Sequence, residues 1–195
     1  MKTSTTAEAI LNATIDLFRE LGFNGTSMRD IVKASKTTAG SVYHFFPSGK
    51  DELTVEVIKH AGPMYQSIIE TLLDDAADLT EGVYSVYEQA AYTLADTNYL
   101  DPCPIGGIAR EVASIKPELR FAIAVVFSAW VQATQERLAN ARIEPEVAED
   151  IAVTMVASIE GGFTLARTHR SAEPLLSIGR SMQSLVGSQL IRQGC

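Results

Sequence analysis

The stretch TSMRDIVKASKTTAGSVYHFFPSGK, residues 26–50, spells two short helices joined by a tight turn. Ser27 is placed to cap the first, with Asp30 three residues on as its capping-box partner. Met28, Ile31, Val32 and Ala34 give that helix an apolar side. Lys36 and Thr37 make the turn, and Thr38 caps a second helix over residues 39–45 that Pro47 terminates. The first turn of this second helix, Thr38-Ala39-Gly40-Ser41, is small and hydroxylated. A helix end of that kind can press into a DNA major groove and offer hydroxyls to base edges. Tyr43, His44 and Lys50 follow where they can donate to phosphates on either side. The DNA-facing set is therefore Ser27, Arg29, Thr37, Thr38, Ala39, Gly40, Ser41, Tyr43, His44 and Lys50.

The charge of the whole chain argues against a nucleic-acid partner, and its distribution reverses the argument. Over 195 residues the net charge is −8. Residues 1–50 carry six basic groups (Lys2, Arg19, Arg29, Lys33, Lys36, Lys50) and four acidic ones (Glu8, Asp16, Glu20, Asp30), a net of +2. The remainder then carries −10. A basic head on an acidic body binds DNA by one face only, because affinity follows local phosphate neutralisation.

The same head carries a family likeness. Thr26-Ser27-Met28-Arg29-Asp30-Ile31-Val32, then Gly40-Ser41-Val42-Tyr43-His44-Phe45-Phe46-Pro47 and Lys50-Asp51-Glu52-Leu53, resemble the DNA-binding domain of TetR-family transcriptional regulators. The resemblance implies a dimeric, all-helical repressor whose larger C-terminal domain binds a small inducer. The family has glycine in the turn where Lys36 stands here, and a lysine with positive φ costs on the order of 1 kcal/mol. Gly49 before Lys50, and the run Cys103-Pro104-Ile105-Gly106, resemble the subgroup typified by lincomycin-resistance repressors, in which that run lies beside the ligand cavity. Ile159-Glu160-Gly161-Gly162-Phe163-Thr164-Leu165-Ala166-Arg167 looks like the family's dimerising helix.

Outward from the head, the pattern stays helical. Residues 5–21 form a first helix, capped by Thr5 with Glu8 and stopped at Gly22 in left-handed backbone. Residues 50–78 read as a long helix that Gly62-Pro63 interrupts, and residues 79–97 as a helix capped by Thr80. A short helix follows over residues 105–113. Residues 117–142 have an apolar middle, 121–131, which predicts a helix buried on every side. The next helix, residues 145–169, carries two apolar stripes, one of them Ile151, Met155, Ser158, Gly162 and Leu165. Two stripes need two packing partners. With Leu175, Ile178, Met182 and Leu185 on the last helix, residues 172–192, that stripe predicts a four-helix interface between two copies.

These readings define an all-α chain with a DNA-binding domain over residues 1–50 and a ligand-binding and dimerisation domain over residues 51–195. Tyr65, Tyr84, Tyr87, Phe127 and Trp130 supply aromatic bulk for a cavity in the second domain, with Cys103 and Ile105 at its mouth. Phe127 and Trp130 serve equally as core. The effector expected there is apolar or aromatic, with Glu88, Arg110, Glu111 and Glu160 as the nearby polar anchors.

Cys103 has no base beside it in the sequence, and His44, His60 and His169 show no metal-binding spacing, so neither catalysis, metal nor cofactor is expected. The pair Cys103 and Cys195 suits a reducing cytoplasm, and no apolar run reaches the roughly 20 residues of a membrane span. The partners expected are operator DNA, a small effector and a second copy of the chain. The rival reading is a helical carrier or enzyme that uses the same cavity.

Overall fold

The computed structural model describes residues 5–193. Among them lie nine helices: α1 (Thr6–Gly25), α2 (Met28–Ala34), α3 (Ala39–Phe45), α4 (Lys50–Asp74), α5 (Leu79–Asp96), α6 (Pro104–Val112), α7 (Pro117–Asn140), α8 (Pro145–His169) and α9 (Glu173–Gln193). Lys2 and Cys195, which entered the charge and cysteine arguments, lie outside the described residues. No helix among those described is long and apolar enough to cross a membrane.

The chain divides into two compact units, with boundaries at Pro63, Cys103 and Val126. The first joins the chain up to Pro63 with Cys103–Val126, so the three-helix head is packed with α6 and the start of α7 and does not stop at Lys50. The second joins Met64–Pro102 with the chain from Phe127 onward.

In the first unit the head is built as its caps dictate. Thr5 with Glu8 and Ser27 with Asp30 form complete capping boxes, and the Thr38 hydroxyl accepts from the Ser41 amide at 3.1 Å. The Ser27 bonds hold the Asp30 carboxyl below the usual carboxylate range. Ile10, Ile31, Val42, Phe46 and Leu53 close the core between these helices. Lys36 takes φ 54° in the turn, the left-handed backbone its position demands. Gly22 is left-handed at φ 75°, and α1 resumes for one more turn beyond it instead of ending there.

Three expectations fail elsewhere for physical reasons. Gly62-Pro63 does not interrupt α4, which runs through both residues. Gly62 serves close packing instead: a Cβ there would sit 2.7 Å from Cγ2 of Val126 and 3.0 Å from its Cγ1. Asp78, not Thr80, caps α5, its carboxylate accepting from the Glu81 amide at 2.9 Å. The middle of α7 is not buried all round; Phe121 is 70% and Val125 54% exposed.

In the second unit α9 packs along α5 and α8, and Leu175, Met182 and Val186 are its buried positions. A bidentate pair from Arg137 to Asp74, both contacts 2.8 Å, ties the end of α4 to α7. The connection after α5 has two consecutive non-glycine residues at positive φ, Asn98 at 54° and Tyr99 at 64°. It is held by Arg167, which donates to Asp101 at 2.7 Å and to the Tyr99 carbonyl at 3.3 Å.

Two substitutions test this account. Gly62→Ala should destabilise the fold by about 1–3 kcal/mol, because β-branched Val126 cannot swing both methyls clear. A gain in thermal stability, as helix propensity alone predicts, contradicts the close approach. Lys36→Gly should stabilise by about 1 kcal/mol by relieving the left-handed lysine. A denaturant titration reads both, and an unchanged midpoint for Lys36→Gly contradicts the strain.

Candidate nucleic-acid interface

Helix α3 has two sides with different work. Val42 is fully buried, and Phe46 just beyond the helix is 5% exposed; together they hold α3 on the head's core. The opposite side leaves Thr38, Ala39, Gly40, Tyr43 and His44 exposed. Around Gly40 there is room: a Cβ there would meet nothing closer than the Thr38 hydroxyl at 3.7 Å. This side presents a small first turn, then a phenol and an imidazole. Phe45, 43% exposed, adds an aromatic edge 5.2 Å from His44. Phe45 was not among the residues predicted to face DNA.

The remaining predicted residues divide. Arg29 is exposed on α2. Ser27 is exposed, but its hydroxyl lies 2.5 Å from the Asp30 carboxylate in the capping box. Thr37 is half-buried with its hydroxyl 2.8 Å from that of Ser35, and Ser41 is half-buried 2.9 Å from the Thr38 hydroxyl. These three hydroxyls shape the helices before they meet anything outside.

Lys50 departs from its expected role. Its ammonium donates to the Phe23 carbonyl and sits 4.0 Å from the centroid of the Phe23 ring. Burial pushes its pKa down, with Asp51 and Glu111 opposing that shift. In this structure the lysine ties the start of α4 to a backbone carbonyl at the end of α1. Glu111, read as a possible effector anchor, is spent at the same place. Its carboxylate accepts from the Phe23 amide at 3.0 Å and the Asn24 amide at 2.7 Å. Eighty-eight residues separate Phe23 from Glu111, so no local pattern could reveal the pair.

The residues predicted to wall a cavity fall into separate groups. Tyr65, Trp130 and Phe127 form an aromatic row in the second unit, with centroids 6.4 Å and 5.5 Å apart in turn. The Tyr65 hydroxyl donates to the Pro102 carbonyl at 2.7 Å. Tyr87 is core: it is fully buried, its hydroxyl lies 2.8 Å from that of Ser158, and burial pushes its pKa up to about 12. Tyr84 is half-buried beside Gly179 of α9. Cys103 and Ile105 are buried in the first unit, where the Cys103 sulfur caps α6 by accepting from the Gly106 amide at 3.3 Å. Phe127 also edges an open groove of about 710 Å³ between α7 and α8, lined with Val131, Gln132, Glu149 and Val153.

The predicted dimer stripe turns inward. Ile151, Met155 and Gly162 on α8 and Leu175 and Met182 on α9 are buried within the single chain, and Ser158 and Ile178 are half-buried. A Cβ on Gly162 would meet Leu175 at 2.6 Å, so this glycine admits α9 of its own chain. Leu165 and Leu185 alone of the predicted set are exposed, at 49% and 38%. The open face of α8 runs through Val153, Ala157, Gly161, Thr164 and Leu165, and a Cβ on Gly161 would meet nothing within 4 Å. The open face of α9 runs through Ser177, Arg180, Ser181, Ser184, Leu185, Ser188 and Ile191, with Arg180 paired to Glu173. Among the described residues no group of three or more His, Cys, Asp or Glu side chains is placed to hold a metal ion.

Comparison with known proteins agrees with this geometry. Residues 10–57 match the model of bacterial regulatory proteins of the tetR family. Residues 80–181 match the C-terminal domain of LmrA/YxaF-like transcriptional regulators. The uncharacterised HTH-type transcriptional regulator YxaF of Bacillus subtilis (strain 168) is 31% identical over 92% of this chain and 94% of its own length. In fold, the chain is similar to a regulatory protein TetR from Rhodobacter sphaeroides, with a TM-score of 0.83 at 18% identity, covering 93% of this chain and 98% of that one. A cysteine mutant of the TetR-family regulator CifR, solved in complex with 26bp double-strand operator DNA, aligns with a TM-score of 0.78 at 17% identity, covering 94% and 98%. With its capped helix-turn-helix head and both halves matched by the family's models, the chain belongs to the TetR family of DNA-binding transcriptional regulators.

Proposed function

We propose that this regulator is a homodimeric repressor that holds a palindromic operator through α3 and leaves it when a small apolar or aromatic molecule binds. The observation that carries the reading is the exposed side of α3, where Thr38, Ala39 and Gly40 keep the helix slim enough to enter a major groove. Tyr43 and His44 stand one turn later, and Arg29 on α2 offers a fixed charge. The operator complex of CifR, a protein of the same fold, supports this use of the head. Lys50 drops out of the contact set because its ammonium is engaged.

Dimerisation is assigned to the open faces of α8 and α9, not to the stripe that packs inward. Both faces are rich in small residues, with Val153, Leu165, Leu185 and Ile191 as their apolar members, and carry charge toward their N-terminal ends at Asp150 on α8 and at the Arg180–Glu173 pair on α9. Small residues let two copies bring their helices close, and an isologous pairing of α8 and α9 makes a four-helix bundle. The aromatic row of Tyr65, Trp130 and Phe127 is the proposed apolar contact for the effector in the second unit.

Two experiments test these assignments. Gly40→Leu should raise stability by about 0.5–1 kcal/mol, since leucine favours a helix over glycine and the site has room. The same variant should lose binding to duplexes that the wild-type protein selects from a random library, because the side chain blocks the groove. Stabilised protein that still binds those duplexes overturns the reading of α3. For the dimer, Gly161→Arg should sediment as a folded monomer, since nothing in its own chain lies within 4 Å of the new Cβ. A dimeric Gly161→Arg protein moves the interface away from α8.

A further inference from the structure

The peptide of residues 22–24 is held from two sides by residues far away in sequence. From α6, the Glu111 carboxylate accepts both the Phe23 and Asn24 amides. Charge-assisted bonds to two successive amides orient two adjoining peptide planes as well as fixing a distance. From α4, the Lys50 ammonium donates to the Phe23 carbonyl and stacks on its ring. Lys116, which pairs with Asp51 at 2.6 Å, lies 5.7 Å from the centroid of the same ring. The backbone makes room for the carboxylate, because a Cβ on Gly22 would lie 2.3 Å from Glu111 Oε1. Gly22 also has φ 75° and ψ 175°, so the chain changes direction there, and the turn beyond it is held locally only by Thr26, whose hydroxyl donates to the Gly22 carbonyl at 2.8 Å and whose amide donates to the Phe23 carbonyl at 3.3 Å. Three residues later Ser27 starts α2, and α3 follows from it.

We infer that Glu111 is a positioning residue for operator reading: it sets the attitude of the helix-turn-helix on α6. The core of the head does not include it. Ile10, Ile31, Val42, Phe46 and Leu53 pack without α6, so the head keeps its fold when the carboxylate is altered. What changes is the direction in which the 22–24 peptide leads the chain into α2. That direction matters little when one head meets one half-site. It matters greatly when two heads must reach half-sites a fixed distance apart. The inference thus rests on the proposed homodimer.

The test uses the full-length protein and duplexes selected by the wild type from a random library, each also made with one arm scrambled. Glu111→Gln keeps the size of the side chain but replaces one acceptor oxygen with a donor, so it cannot take both amides. The expected result is a loss of about tenfold or more on two-arm duplexes, unchanged affinity on one-arm duplexes, and an unchanged circular dichroism melting profile. Glu111→Asp, which retains the carboxylate, should recover part of the two-arm affinity. Equal losses on both duplexes, with or without a lowered melting temperature, show that Glu111 merely supports the head and overturn the inference. Wild-type affinity in Glu111→Gln overturns it as well. If the wild-type protein itself binds one-arm and two-arm duplexes alike, the dimer reading fails first and takes this premise with it.

Discussion

A seven-residue helix cannot hold itself together in water, and α3 is seven residues long. It exists because Val42 and Phe46 bury one side of it against Ile10, Ile31 and Leu53, and because the Thr38 hydroxyl satisfies an end amide. That dependence determines what is left over. With one side committed to packing, the other is free to be small, and Thr38, Ala39 and Gly40 remain on it. The surface proposed to read DNA is therefore a product of the head's core.

The head was legible because its determinants are local. Capping boxes at Thr5 with Glu8 and Ser27 with Asp30 act over three residues, and the left-handed Lys36 is forced by the shortness of its turn. The Lys50 tie was not legible, for the opposite reason. Its partner is the Phe23 carbonyl, 27 residues away, and an exposed-looking lysine at a helix start gives no hint of that bond. Glu111 is the extreme case. Its partners are backbone amides, which every residue owns, so nothing in their side chains announces the contact.

The second unit was harder to read because its helices offer more than one plausible face. The spacing along α8 gives two stripes and predicts a partner for each, yet both pack largely inside the chain, since Ala152, Phe163 and Ala166 of the second stripe are buried along with Ile151, Met155 and Gly162 of the first. Leu175 of α9 fills the space above Gly162 and leaves Gly161 open. In α7 a uniformly apolar composition implied full burial, whereas Phe121 and Val125 are exposed. Aromatic count misled in a similar way. Tyr87 belongs to the packed interior, where Gly179 lets α9 approach and Ser158 satisfies the phenol, while Tyr65, Trp130 and Phe127 form a separate row.

The central claim is that DNA is met by the exposed side of α3 with α2 behind it. Amide hydrogen exchange of the full-length protein, with and without a wild-type-selected duplex, addresses it most directly. The account predicts slowed exchange across α2, the Lys36 turn and the first turn of α3, with the buried core of α5 unchanged. Protection that appears in the second unit while residues 27–43 exchange as in the free protein contradicts it.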